Sequence, residues 1–404
     1  MMKNAAADQP AGQEPKTIWN KMFLILFFTN MALNMGLNMS NSLMALYVDT
    51  FDVSAAVIGT VVSTYAVSAM LSRFISAPVI DTYNRKYVVV FSTLTLAIAF
   101  GGFAISGTIP VLVAFRLLQG FGMAFGNACC LTMVADMLPK DKYGSGIGYY
   151  SLAQVVASAV APSVGLWLVD TMGFSMTFAT ASSAMLVSAF LATQMRVKFE
   201  QTRKLKISLN NLFAKEAIIP SAVLWTMVVG GSTGSFLILY ARYQGVTSNI
   251  GLYFTVSAVT MLVSRPLIGR LNDRYGPVAV SIPSMFASLI AFFIISRSTT
   301  LAGFLAAAFV TAFGQGGCMP AMQALSMKTV SSSRRGAASC TNYIAMDLGV
   351  LSGPIIAGYL VESVGYVLMW RLMTIPFVFG AAILFIFRKN IEQIEKDFSS
   401  GKIS

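Results

Sequence analysis

The chain has 404 residues, 56% of them hydrophobic and only 11% charged, with a formal net charge of +12. A soluble domain carries roughly a quarter of its residues as charges, so this composition excludes a soluble globule, a disordered chain, a collagen-like fibre and a disulfide-rich secreted scaffold. One bilayer crossing takes about 20 apolar residues, and a dozen would use roughly 240, leaving only short loops. The sequence is that of a polytopic membrane protein.

There is no histidine, which removes Ser-His-Asp and Cys-His catalysis, His-ligated metals and His proton relays together. The acids are scattered, so a membrane-embedded enzyme has no catalytic cluster to use. No Gly-x4-Gly-Lys-Ser/Thr loop for a nucleotide is present. No cofactor or metal is expected. Cys129, Cys130, Cys318 and Cys340 lie in or beside apolar segments and read as packing residues, not as a disulfide framework.

In chain order, the polar start Met1–Pro15 lacks the basic and apolar regions of a signal peptide. Apolar runs between polar breaks then predict twelve helices, over 19–47, 55–79, 87–106, 109–137, 144–169, 174–195, 217–241, 249–270, 278–296, 300–326, 336–360 and 367–388. The longest polar break divides them six from six. The expected organisation is a tail 1–18, a six-helix half 19–195, a central loop 196–216, a second half 217–388 and a tail 389–404.

Lys and Arg sit in alternate loops. Lys3, Lys16, Lys21, Arg85, Lys86, Lys140, Lys142, the basic central loop and the basic C-terminus fall on one side, against Arg242, Arg297 and Arg371 on the other. The positive-inside rule then places both termini in the cytoplasm, in a bacterial cell membrane. Topology thus explains the basic charge without nucleic acid.

The halves repeat in register. Ser72, Arg73 and Asp81 recur as Ser264, Arg265 and Asp273; Gly59 as Gly251; Gly144 as Gly336; Ala161-Pro162 as Gly353-Pro354; Asp170, Gly173 and Phe174 as Glu362, Gly365 and Tyr366, all at one constant offset. Six helices per half point both halves the same way, related by an axis along the membrane normal, with a substrate site between them near the midplane.

Between helices 2 and 3 the chain reads Ala77-Pro78-Val79-Ile80-Asp81-Thr82-Tyr83-Asn84-Arg85-Lys86, and between helices 8 and 9 Gly269-Arg270-Leu271-Asn272-Asp273-Arg274-Tyr275-Gly276. Both resemble the Gly-x3-Asp-Arg-x-Gly-Arg-Lys signature of the major facilitator superfamily. The second copy is nearer the pattern, while the first lacks both glycines, although Asn84 tolerates a left-handed turn. The resemblance covers helix 1 to helix 12. It implies an all-α integral membrane fold of twelve transmembrane helices in two six-helix halves, working as a monomeric secondary transporter by alternating access.

Further residues take their roles from that resemblance. Asp81 and Asp273, with Arg73, Arg85, Lys86, Arg265 and Arg274, would form cytoplasmic gate elements, each acid meeting a helix N-terminus of the other half; the plain alternative is a solvated loop acid. Arg116-Leu-Leu-Gln119-Gly120 resembles the Arg-x2-Gln-Gly motif of helix 4 in proton-driven relatives, where the Arg tunes a nearby carboxylate. Otherwise Arg116 snorkels to the outer surface. Helix 5, with Gly148, Pro162 and Gly165, resembles an antiporter signature, and helix 11 carries a fuller copy in Gly349, Gly353 and Pro354. These permit close packing and bends, and the pattern leans towards efflux.

The remaining candidates come from helical pitch. Asn30, Asn34, Asn38 and Asn41 form a narrow stripe on helix 1, read as lining the cavity or else as helix–helix contacts. Gln119, Met123 and Asn127 share a face of helix 4 with Arg116. Gln315, Met319 and Gln323 share one side of helix 10. Asp347, about eleven residues or roughly 16 Å into helix 11, is the one clearly intramembrane acid and shares its face with Tyr343. A carboxylate withdrawn from water is easier to protonate, so Asp347 is the candidate proton carrier, with Arg116 as its modulator. The alternative is a static partner of Arg116 or of hydroxyls. Met and aromatic residues suit a small amphiphilic organic substrate. The sequence therefore reads as a proton-coupled exporter, with a solute–proton symporter for uptake and a non-transporting sensor as rivals.

Overall fold

A computed structural model describes residues 18–138, 143–195, 213–331 and 334–400. Every regular element among them is helical. We number twelve membrane helices and one surface helix: α1 Lys21–Asp49, α2 Ala55–Thr82, α3 Arg85–Ile105, α4 Ile109–Met137, α5 143–172, α6 174–193, α7 Lys215–Tyr243, α8 Leu252–Tyr275, α9 Pro277–Arg297, α10 Leu301–Lys328, α11 335–364, α12 366–386 and α13 Arg388–Ser399.

Composition and capping explain these boundaries. Long apolar runs satisfy their own backbone groups as helices, as lipid requires, and polar residues cap the starts. The Asn20 side chain accepts from the Phe23 N–H at 2.9 Å, and Thr300 caps Gly303 at 3.4 Å. α5 runs into α6, and α11 into α12, through a single glycine each. Gly173 takes φ 78° and Gly365 φ 80°, a left-handed conformation that glycine adopts without a Cβ clash. These are the breaks expected near 170–173 and 361–366. Gly276 likewise takes φ 81° between α8 and α9. Its repeat partner Asn84 does not: at φ −62° it is the N-cap of α3, its side chain accepting from the Lys86 N–H at 3.0 Å. The capping function of Asn replaces the left-handed turn expected there.

The internal repeat shows in packing as well as in sequence. Tyr47, at the end of α1, donates its hydroxyl to the Phe103 and Ser106 carbonyls at 3.0 and 2.8 Å. Tyr240, near the end of α7, donates to the Ser296 carbonyl at 3.0 Å. Each tyrosine thus ties the first helix of its half to the end of the third.

α7 is interrupted. Through the run Gly230–Ser235 the chain passes from α-helix into a 3-10 turn over Thr233–Phe236 before the helix resumes at Leu237. The predicted C-terminal tail folds as α13, which seats Ile391 in the core and anchors Glu395 on Lys328, both carboxylate oxygens lying 2.9 Å from Nζ.

Two seams join the halves, α2 on α11 and α5 on α8. A Cβ on Gly59 would fall on the Pro354 carbonyl oxygen, and one on Gly358 on that of Ala55. In the second seam a Cβ on Gly251 would lie 2.7 Å from Ser163 Cα, and the Thr255 hydroxyl donates to the Ala159 carbonyl at 2.6 Å. Arg242 reaches Asp170 at 3.4 Å across the same end. All these contacts close the bundle at the end opposite to α13. Towards the α13 end the α5–α8 seam parts: Arg265 and Leu267 are exposed and Gly269 has open space beside it.

Candidate functional site: a cavity between the halves and an ion pair across them

Parting of the seam leaves a cavity of about 510 Å³ between the halves, within the range of small-molecule sites. α1 contributes Asn38, Asn41 and Ser42; α2 contributes Val62 and Tyr65; α5 contributes Gln154, Val155, Ser158 and Pro162. From the second half come the broken stretch of α7, Ser257 and Arg265 of α8, Gln315 of α10, and Val350 and Pro354 of α11. Apolar walls are studded with hydroxyls and amides, and among the described residues no Asp or Glu lines them.

One end rests on Arg116. It is wholly buried in α4 and does not snorkel. Its Nη1 donates to Gln119 Oε1 at 2.6 Å and Asn41 Oδ1 at 3.2 Å, its Nε to the Val61 carbonyl at 3.4 Å, and its Nη2 to the Val62 carbonyl. The Tyr65 ring lies under the guanidinium, 4.6 Å from carbon to centroid. Gln119 completes the set by donating to Asn41 Oδ1 at 3.1 Å. Gly120 lets α4 come this close to α2, for a Cβ there would strike the Tyr65 carbonyl oxygen. Carbonyls, amides and a π face therefore hold this cation with no carboxylate among its contacts.

Asp347 pairs elsewhere. It is the only buried carboxylate among the described residues, and it accepts from both Nε and Nη2 of Arg73, the latter at 3.1 Å. Arg73 comes from α2 and Asp347 from α11, so the bidentate pair spans the seam between halves. The Arg73 guanidinium also sits over the Tyr343 ring, 4.5 Å from its centroid. Antiparallel α2 and α11 touch at Ala55–Gly358 and Gly59–Pro354, a register that sets Arg73 near Cys340 and Tyr343, and its long side chain reaches along the seam to Asp347. The expected Arg116–Asp347 partnership is thus replaced by Arg73–Asp347, and Arg73 leaves the gate group for the core of the seam.

Other candidates divide as follows. Asn38, Asn41, Gln315, Pro162, Pro354 and Arg265 line the cavity. Asn30 and Asn34 are 4% and 3% exposed and do not: the Asn34 amide donates to Asn30 Oδ1 at 2.8 Å and Asn127 Oδ1 at 3.4 Å. The stripe of asparagines is real, but its inner half joins α1 to α4. Gln119 is buried beneath the cavity wall, and Met123 and Met319 pack against the core. The Gln323 amide reaches Met346 Sδ at 3.5 Å. Gly165 packs on Met39 of α1, while Gly349 and Gly353 pack on α7, so these glycines serve contacts within each half.

At the presumed gate, Arg85 donates to the Ile80 carbonyl at 3.2 Å, Lys86 is half-buried, and Asp273 and Arg274 are exposed. The surroundings of the Asp81 side chain and of Gly148 lie outside what is described, as does the loop 196–212. The cysteines are all free, three of them buried, as packing residues would be.

Sequence reasoning missed Arg73 as the partner of Asp347, although a signal existed: two opposite charges inside apolar helices are each costly alone and should find one another. It also missed Tyr65, Gln154, Ser158 and Ser257, which isolated polar positions on otherwise apolar faces mark only weakly.

A membrane-embedded bundle of two repeated six-helix halves around a solute-sized cavity defines a secondary transporter, and comparison with known proteins agrees. The chain matches the model of the Major Facilitator Superfamily over residues 26–248 and again over 227–402; it belongs to that superfamily. It is 25% identical over 365 residues to the multi-drug resistance efflux pump PmrA of Streptococcus pneumoniae, covering 86% of this chain and 91% of that one. It is 27% identical over 322 residues to the multidrug resistance protein MdtG of Citrobacter koseri, covering 75% and 77%. Among solved structures it resembles the nucleoside transporter NupG at a TM-score of 0.78 and 15% identity, covering 91% of this chain and 100% of that one. It resembles a POT family transporter bound to 5-aminolevulinic acid at 0.75 and 11%, covering 91% and 96%. It is a multi-pass membrane transporter, not an enzyme.

Proposed function

We propose that this transporter exports a small amphiphilic organic compound from a bacterial cell in exchange for protons. The observation that carries the reading is the Arg73–Asp347 pair, a buried carboxylate bound across the moving interface. With the basic ends of the helices in the cytoplasm, the structure is the inward-facing state: closed at Gly59–Pro354 and Gly251–Ser163, open between the inner ends of α5 and α8.

In this state Asp347 is bound to Arg73 as an ion pair across the seam. A proton arriving at Asp347 removes the negative charge, the two Nε/Nη2 contacts lose most of their strength, and α2 is freed from α11 at that level. The binding cavity shares the same helices, through Tyr65 and Val62 on α2 and Val350 one turn outward on α11. Occupancy of the cavity and protonation of Asp347 thereby bias one seam, which is the coupling an exchanger needs. The names of PmrA and MdtG as efflux proteins support the outward direction.

The test is a pH gradient in everted vesicles made with and without the transporter. Dissipation of that gradient by a transported amphiphile is expected, and loss of the response in Asp347→Asn. Uptake in symport would instead build proton flux along with the solute, opposite in sign. Transport of a confirmed substrate that ignores the pH gradient would reject proton coupling.

A further inference from the structure

The halves of this molecule repeat, but their charges do not. Arg73 of α2 and Arg265 of α8 occupy the same place in the repeat. Arg73 is neutralised by Asp347 of α11, the helix packed on α2. The place of Asp347 in the first half belongs to Val155 of α5, the helix packed on α8. Val155 and Arg265 both line the cavity. One inter-half seam therefore carries a complete ion pair, and the other carries the cation with an apolar residue where the acid would be.

The Arg265 guanidinium makes one polar contact, to Met261 Sδ at 3.4 Å. Arg116, at another part of the same wall, is held by neutral groups alone. The exposed Arg265 guanidinium, with Arg116 buried in the wall behind, thus faces a cavity with no carboxylate among its described lining residues, while Arg73 is paired. A cation lining a cavity attracts an opposite charge and repels its own kind. A guanidinium also presents paired donors that fit a carboxylate or sulfonate edge. Hydroxyls and amides of Ser158, Ser257, Asn38 and Gln315 surround the approach, and the volume suits a solute of one or two rings.

From this asymmetry we infer that the substrate is an organic anion, an amphiphile whose carboxylate or sulfonate group is bound by Arg265 in the space beside Val155. The inference rests on the transport reading above for the site's purpose, but its chemistry does not depend on proton coupling or direction. It separates this cavity from one built for lipophilic cations, which would need an acid on its wall.

The test uses purified full-length protein in detergent and a matched series of probes: 2-naphthoate, naphthalene-2-sulfonate, the neutral methyl ester of 2-naphthoate, and a naphthyl trimethylammonium cation. The readout is the ligand-induced shift in thermal unfolding, with affinities from titration. The anions are expected to stabilise the wild type at least tenfold more effectively than the ester or the cation. Arg265→Gln should lose that preference and Arg265→Lys should keep part of it. Val155→Asp supplies the missing acid and should abolish anion binding, while Val155→Asn, equal in size, should retain it and controls for misfolding. Equal shifts for ester and anion, unchanged anion affinity in Arg265→Gln, or no shift with any probe would each overturn the inference. Anion binding retained by Asp347→Asn alongside lost pH-driven transport separates this site from the proton site; anion binding with no pH-driven transport even in the wild type would reject the coupling and leave the anion site standing.

Discussion

Arg73 and Asp347 are 274 residues apart and meet bidentately inside the seam between the two halves, with the Tyr343 ring beneath the guanidinium. Among the described residues neither charge has a second ion-pair partner, and the Asp347 side chain is buried while Arg73 is partly so. On the alternating-access reading proposed above, the pair belongs to one conformation of the transporter, because α2 and α11 would separate when the closed end opens. A charge whose partner leaves on opening is a natural point of control.

Asp347→Asn removes the carboxylate proposed to carry the proton and leaves the partly buried Arg73 without its counter-charge. Breaking one side of a buried pair costs about 3–5 kcal/mol in soluble proteins. The variant should lose substrate accumulation driven by a pH gradient and unfold at lower temperature, while still exchanging labelled for unlabelled substrate. The double variant Arg73→Gln/Asp347→Asn should recover most of the lost stability and none of the pH-driven transport. Uphill transport by the single variant would remove Asp347 from coupling.

Arg116 predicts a different failure. Its guanidinium is satisfied by Asn41, Gln119 and two α2 carbonyls, so its role is to join α1, α2 and α4 at the cavity wall. Arg116→Ala should strand the buried Gln119 Oε1, at about 1–3 kcal/mol for an unsatisfied buried group, while Asn41 Oδ1 keeps the Gln119 amide as donor. A large fall in unfolding temperature together with weakened substrate binding is expected. Arg116→Lys, a point charge without the planar fork, should recover little of either. Thermal unfolding and titration on the same preparations distinguish these outcomes.

Asn34→Leu separates the two ends of the asparagine stripe. Asn34 is bound to Asn30 and Asn127 and lies off the cavity, so its substitution should leave substrate affinity within about twofold and lower stability by about 1–3 kcal/mol. Asn38→Leu, at the wall, should weaken substrate binding with a smaller effect on unfolding. Reversed effects in titration and thermal unfolding would show that the stripe faces substrate at its inner end.

That stripe also shows where sequence stops. Twelve helices were legible because lipid forces long apolar runs to be helical and glycines at 173 and 365 end them visibly. The repeat was legible because residues at one offset matched. Helical pitch placed four asparagines on one face, but a face towards a cavity and a face towards a neighbouring helix carry the same periodicity. Asp347 could be found by its isolation; its partner could not be chosen between Arg73 and Arg116, since both are intramembrane arginines and only the antiparallel register of α2 on α11 decides. The unpaired state of Arg265 depends on a valine, a residue that no search for charged motifs would single out.

Closure of the outer end supplies the last prediction. Gly59 and Gly251 occupy the same place in the repeat, and each lets a helix of one half touch the backbone of the other, at Pro354 and at Ser163. A side chain at either place must push a seam apart, because backbone atoms give way less than side-chain tips. Gly59→Val and Gly251→Val should therefore shift the population towards the state open at the outer end. Single cysteines placed at Val53 or Thr247, on a background with Cys129, Cys130, Cys318 and Cys340 replaced, would report this as faster labelling by an impermeant thiol reagent from outside. Transport should fall because closure is needed in every cycle, while Gly269→Ala, which meets open space, should leave both labelling and transport unchanged. Unaltered labelling in Gly59→Val and Gly251→Val would show that these contacts do not set the outer closure.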